Sequence, residues 1–166
     1  MYSLMRKSAV LLSILTLLPL ASASAASKSV PLILMDTGTF SFTSMTTANL
    51  KGTGVSTHLG RIVSTGVFEN LGDGPPGDFK GKIEGTATAV PLGEMAPPPP
   101  KQGSIRYRLS AKFSPDASGI FYGIGTYIIT GGTGDFKRAR GFGEFIGLAN
   151  FEGGTYNCFL RGIISY

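Results

Sequence analysis

His58 is the only histidine in a chain of 166 residues, and Cys158 is the only cysteine. These two counts close off several kinds of chemistry. A zinc centre draws three or four ligands mainly from Cys and His, so one of each does not build it. An internal disulfide framework needs paired cysteines. As a general base, His58 would need a nucleophile in reach and an acid to orient it. Ser56 and Ser64 are near it in sequence, but neither stands in a G-x-S-x-G elbow. Carboxylates remain. Glu84 and Glu144 lie in apolar or glycine-rich stretches. A carboxyl turned into an apolar interior is held protonated above its usual range and can act as a general acid. Glu84, Glu144 and His58 are therefore the candidate catalytic groups, although a solvent-facing carboxylate is the plainer reading of each acid. Asp73 and Asp78 flank Gly and Pro without the spacing of a calcium loop. No metal and no cofactor is expected.

Gly131-Gly132-Thr133-Gly134 invites comparison with a phosphate loop, but no Gly-Lys-Ser/Thr follows and the spacing is not GxGxxG. It reads as a tight turn between strands, with glycines at positive φ. Lys137, Arg138 and Arg140 come next as a small basic cluster, with Asp135 and Glu144 close by, and read as a solvated turn. The whole chain carries 15 basic and 10 acidic residues, a net charge of +5. That balance is not the footprint of a nucleic-acid binder.

The elements that must position such groups are strands. Glycine stands at 24 positions and only 15% of residues are charged; glycine at this density argues against a helical bundle. Ser104 to Phe113 alternates strictly. Ile105, Tyr107, Leu109, Ala111 and Phe113 point one way, and Arg106, Arg108, Ser110 and Lys112 the other. Three unpaired cations in a barrel interior would be costly, so the apolar set faces inward and the arginines outward. From Thr155 to Tyr166, the residues Tyr156, Cys158, Leu160, Gly162, Ile164 and Tyr166 share a face, and Cys158 is expected to be buried. Further strands are expected over Val30 to Met35, Thr39 to Met45, Val55 to Phe68 (two strands, or one bent at Gly60), Lys82 to Val90, Ile120 to Thr130 and Phe142 to Phe151. The segments Gly72 to Asp78 and Met95 to Gln102, rich in Gly and Pro, are loops. About eight strands joined by turns make an antiparallel sandwich or barrel. Glycines inside strand candidates, among them Gly60, Gly66, Gly85, Gly123, Gly125, Gly143, Gly147 and Gly162, suit the bends of a small closed barrel; a β-sandwich is the alternative. Tyr107, Leu109 and Tyr127 are the candidate cavity residues.

The first 25 residues read as a secretory signal. Arg6 and Lys7 precede an apolar run from Ala9 to Leu20, and Ala21-Ser22-Ala23 and Ala23-Ser24-Ala25 offer cleavage sites. Cleavage would leave a single barrel domain over 26–166, secreted or periplasmic, with its charge reduced from +5 to +3 by the loss of Arg6 and Lys7. No second long apolar run suggests a membrane span.

The stretch from Gly125 to Gly141, reading G-T-Y-I-I-T-G-G-T-G-D-F-K-R-A-R-G, resembles the signature of allene oxide cyclase-like barrels. It is also similar to the G-G-T-G-x-F-x-x-A-x-G segment of plant dirigent proteins. Thr57-His58-Leu59-Gly60-Arg61 and the closing Leu160 to Tyr166 fit the same pattern. The resemblance implies an eight-stranded antiparallel barrel with an apolar cavity, often trimeric. It also implies a role in binding, cyclising or steering a small apolar molecule, fatty-acid-derived or phenolic. The shared signature is a turn, so no catalytic residue is carried over from it. Three functions follow as expectations: a ligand-binding barrel, a cyclase or dirigent-like enzyme, and a solid structural barrel that assembles through its outer face.

Overall fold

The computed structural model describes residues 28–72, 78–91 and 101–166. The segment expected to be a secretory signal, residues 73–77 with Asp73, and the four prolines at 97–100 lie outside the described residues. Eight strands close into one antiparallel barrel, each paired with its neighbours in chain order and β8 returning to β1. They are β1 (Val30–Phe42), β2 (Thr47–Ser56), β3 (Gly60–Gly72), β4 (Phe79–Ala89), β5 (Ser104–Pro115), β6 (Ile120–Gly132), β7 (Arg140–Asn150) and β8 (Thr155–Ser165). The barrel, not the sandwich, is the architecture. Closure pairs every backbone ladder and leaves no exposed edge.

β5 carries the strict alternation of the sequence into the wall. Ile105, Tyr107, Leu109, Ala111 and Phe113 are buried, while Arg106, Arg108 and Lys112 are exposed. Two strands differ from the sequence reading. Val30 to Met35 and Thr39 to Met45 are not two strands but the two halves of β1, which runs on through Asp36-Thr37-Gly38. Val55 to Phe68 resolves into the first of its two alternatives, two strands: a turn at 57–59 divides it, and Gly60, at φ 67, opens β3. Most of β2 goes unrecognised in the sequence because its inward face is small and weakly apolar: Ala48, Leu50, Gly52, Gly54 and Ser56.

Eight strands leave an interior just wide enough for side chains to fill. Here large rings fill it from some strands, and glycines make way on others. A side chain at Gly85 would fall on the Tyr107 ring, and one at Gly81 on Phe68 and Phe113. Gly123 and Gly147 leave room in the same way for Phe113 and Phe145. These strand glycines therefore make room for aromatic rings of the same or a neighbouring strand, a role beyond allowing bends.

The two ends differ. At the end where β1 begins, the β6–β7 connection forms a single 3-10 turn, Gly134–Phe136, with Gly134 at φ 55. The turn drops Phe136, fully buried, against Tyr166, with ring centroids 4.8 Å apart. Leu59 and Ala139, also fully buried, complete the plug. At the opposite end phenylalanines gather. Phe79 stacks on Phe113 at 5.1 Å, and Phe151 meets Phe121 at 4.7 Å and Phe40 at 5.2 Å. Phe42 is half exposed there, and Met45 is almost fully exposed.

Candidate functional site

In β1, Leu32 and Leu34 point inward, and the same two-residue period brings Asp36 inward behind them, 5% exposed. β3 carries Ser64 and β8 carries Tyr156 to the same point. The Ser64 hydroxyl donates to Asp36 Oδ2 at 2.5 Å, and the Tyr156 hydroxyl donates to the same oxygen at 2.9 Å. The two hydroxyl oxygens are themselves 3.3 Å apart. Asp36 Oδ1 is buried with no hydrogen-bond partner. Gly52, across the β1–β2 pair, makes the cluster sterically possible. A β-carbon there would stand 2.5 Å from the Tyr156 hydroxyl and 2.7 Å from Asp36 Oδ1.

Burial lifts the Asp36 carboxyl above its ordinary value, against the opposing hydrogen bonds from Ser64 and Tyr156. Every Lys and Arg among the described residues is exposed, so no cation inside the barrel counters the desolvation. The neighbouring groups are held neutral by the same dry surroundings. Burial pushes the Cys158 thiol up to about 12 and raises the Tyr107 and Tyr156 phenols well above their usual range. A thiol so shifted is a poor nucleophile. Among the described lumenal groups Asp36 is the carboxyl, and burial raises it.

The cluster forms the polar floor of an otherwise apolar cavity. Leu50, Phe68, Ile83, Leu109, Phe113 and Phe145 line its walls, and Phe40 and Phe151 stand at the phenylalanine-rich end. The cavity measures about 50 Å³. That is space for a few waters or a small fragment, since one water needs roughly 10–15 Å³ on this measure. Pockets for drug-sized ligands start near ~300 Å³. A larger guest therefore enters only if the phenylalanine rings at that end swing aside.

Of the residues singled out in the sequence, Tyr107 and Leu109 line this cavity. Tyr127 is buried beside it at Gly162, with a hydroxyl that finds no partner. Glu84 and Glu144 do not reach the lumen. Each stands on the outer face in an ion pair, Glu84 with Arg108 at 3.0 Å and Glu144 with Arg161 at 2.6 Å. The reason is the strand period: both fall in the outward phase, beside Ile83 and Phe145 that fill the inward one. His58 lies at the plugged end. Its Nε2 is 2.7 Å from the Pro31 carbonyl oxygen, and its Nδ1 is 3.3 Å from the Tyr166 hydroxyl, so both ring nitrogens are engaged away from the floor, although Ser64 is close to it in sequence. The sequence reading misses Asp36 because its strands stop at Met35 and resume at Thr39, leaving this residue outside both; the signal is its place in the inward phase of Leu32 and Leu34.

Comparison with known proteins brings no match. No family model fits the chain, and neither curated proteins nor solved structures give a significant relative. The site therefore rests on its own geometry.

Proposed function

We propose that the barrel takes a small, mostly apolar molecule into its lumen and holds that molecule's polar atom against the Asp36–Ser64–Tyr156 floor. The observation that carries this reading is the buried, half-satisfied carboxyl of Asp36 at the base of an apolar cavity. Such a group is costly to bury, and a leucine in its place would fill a solid structural barrel more cheaply. The phenylalanine end supplies the entrance, because rings packed edge to face can exchange rotamers without breaking backbone pairing. The resemblance to cyclase and dirigent barrels points the same way, as does the expected export of the chain.

A second reading, a cyclase or dirigent-like reaction in the same lumen, is favoured by the chemistry of Asp36. A carboxyl raised by burial next to an apolar guest can, in its protonated form, give its proton to an epoxide or carbonyl oxygen and recover it afterwards. The walls would fix the guest's conformation, which is catalysis by orientation. Self-association is a further part of the proposal. Ile124, Ile128, Phe142 and Ile146 are each more than half exposed on adjoining outer strands, an apolar surface of the kind that meets another subunit.

Native mass spectrometry of the protein purified from its own host tests the reading. A retained small molecule in the wild type, reduced at least tenfold in Asp36→Leu, supports it. A wild type that carries nothing and binds neither fatty-acid nor phenolic probes overturns it. The same spectra read the oligomeric state.

A further inference from the structure

The plugged end of the barrel holds a second cluster that the lumenal reading does not use. Arg106 projects from the outer face of β5 and Arg140 from that of β7, and β6 lies between them with Gly131 at the same level. The place where a Gly131 side chain would begin is 3.2 Å from Arg106 Nη2 and 3.6 Å from Arg140 Nη1. Two guanidinium groups thus lean over one glycine. Arg140 is pinned there, because its Nη1 donates to the carbonyls of Thr130 at 2.9 Å and Ala139 at 2.8 Å.

Converging like charges repel, and elsewhere on this barrel the arrangement is different. Arg108 and Arg161, on the barrel's midsection, each have a glutamate partner. Among the described residues no carboxylate pairs with Arg106 or Arg140. Asp135, the one acid of that end among the described residues, accepts the backbone N–H of Gln102 instead. Arg61, Lys101, Lys137 and Arg138 stand at the same end, all exposed. The net positive charge is therefore gathered on one end, with its sharpest convergence over Gly131.

We propose that Arg106 and Arg140 form a clamp for a tetrahedral oxyanion, a phosphate monoester group, seated over Gly131. Guanidinium groups match phosphate oxygens in paired hydrogen bonds; Arg106 would offer its fork and Arg140, whose Nη1 hydrogens go to Thr130 and Ala139, its Nη2 and Nε, and a bound dianion turns the mutual repulsion of the two arginines into attraction. Gly131, which has no side chain, leaves the seat open. The phosphate can belong to a soluble metabolite or to a lipid headgroup, and the chemistry of recognition is shared. The site is independent of the lumen.

The test is amide NMR of the protein during titration with inorganic phosphate at constant ionic strength. Saturable shifts centred on Gly131, Gly132 and Thr133 are expected. Arg106→Gln should weaken the fitted affinity at least fivefold. Arg106→Lys, which keeps the charge and loses the fork, should weaken it less, and Arg61→Gln, at the same end but away from the clamp, should leave it unchanged. Co-sedimentation with phosphatidylcholine vesicles, with and without phosphatidic acid, separates the sources. Binding that needs phosphatidic acid and is lost in Arg106→Gln assigns a headgroup, whereas phosphate binding without vesicle binding assigns a soluble ester. Shifts that do not saturate, or that are as strong in Arg106→Gln as in the wild type, overturn the proposal.

Discussion

The two ends of the barrel are built from the same wall and solve opposite problems. One is closed by the chain itself. The 3-10 turn at Gly134–Phe136 pushes a buried ring into the opening, Tyr166 packs on it, and charged side chains stand around the rim. At the other, among the described residues, side chains gather instead, a group of phenylalanines that touch one another and leave Phe42 and Met45 in solvent. Between them lies the Asp36 floor. A backbone plug is part of the fold and opens only by local unfolding; a ring cluster opens by rotamer changes on a far shorter timescale. The difference ties stability to the first end and, in the proposed reading, access to the second.

The largest effect should come from breaking the plug. Phe136→Ala removes a fully buried ring and should cost about 3–5 kcal/mol, as such core truncations do, read by urea denaturation. Phe42→Ala at the other end removes a half-exposed ring and should cost under about 1.5 kcal/mol while leaving the fold intact. Equal losses at the two ends would erase the contrast.

A smaller loss is expected at the floor. Gly52→Ala places a methyl on the Tyr156 hydroxyl and the Asp36 carboxyl, and overpacking of that kind costs about 1–3 kcal/mol. It should also weaken ligand retention, which Phe42→Ala should not.

The pH dependence sharpens the account of Asp36. Its carboxyl titrates higher in the folded chain than in the unfolded one, so between those two values the folded state binds more protons. The Asp36 contribution to stability is then complete below the unfolded carboxylate range, near pH 3.9 or so, and declines as pH rises through the folded value. Asp36→Asn should remove that decline, seen as a flatter plot of unfolding free energy against pH. A mutant with the same slope as the wild type would show that Asp36 is not the group responsible.

The smallest effect belongs to the outer face. Glu84→Gln and Glu144→Gln break exposed ion pairs that contribute roughly 0–1 kcal/mol, and should change neither stability by more than that nor ligand retention at all. Loss of retention in either would return these residues to the site from which the structure removes them.

Much of the fold was legible in the sequence. β5 shows why: its inward residues are all apolar and its outward ones nearly all charged or polar, so period and burial coincide. β2 shows the converse. Its inward face is small, and Gly52 yields its space to Asp36 on the neighbouring β1 and to Tyr156 on β8 beyond it. That complementarity exists only across strands distant in sequence, and no local pattern reports it. The site was hidden for a related reason. An acid in an inward phase breaks the apolar alternation at the very residue that matters, and a reading based on alternation ends the strand there. Local rules fail most readily at positions where function overrides packing.

The central claim is that a guest's polar atom meets the Asp36 floor inside the lumen. Amide and methyl NMR of the wild type and Asp36→Asn, titrated with a short-chain ketone and with the alkane of equal length, addresses it directly. The account predicts saturable shifts at Ser64, Leu109 and Tyr156 with the ketone, weaker binding of the alkane, and a ketone preference that falls severalfold in Asp36→Asn. Shifts confined to the outer strands, or an equal response to ketone and alkane in both proteins, would contradict it.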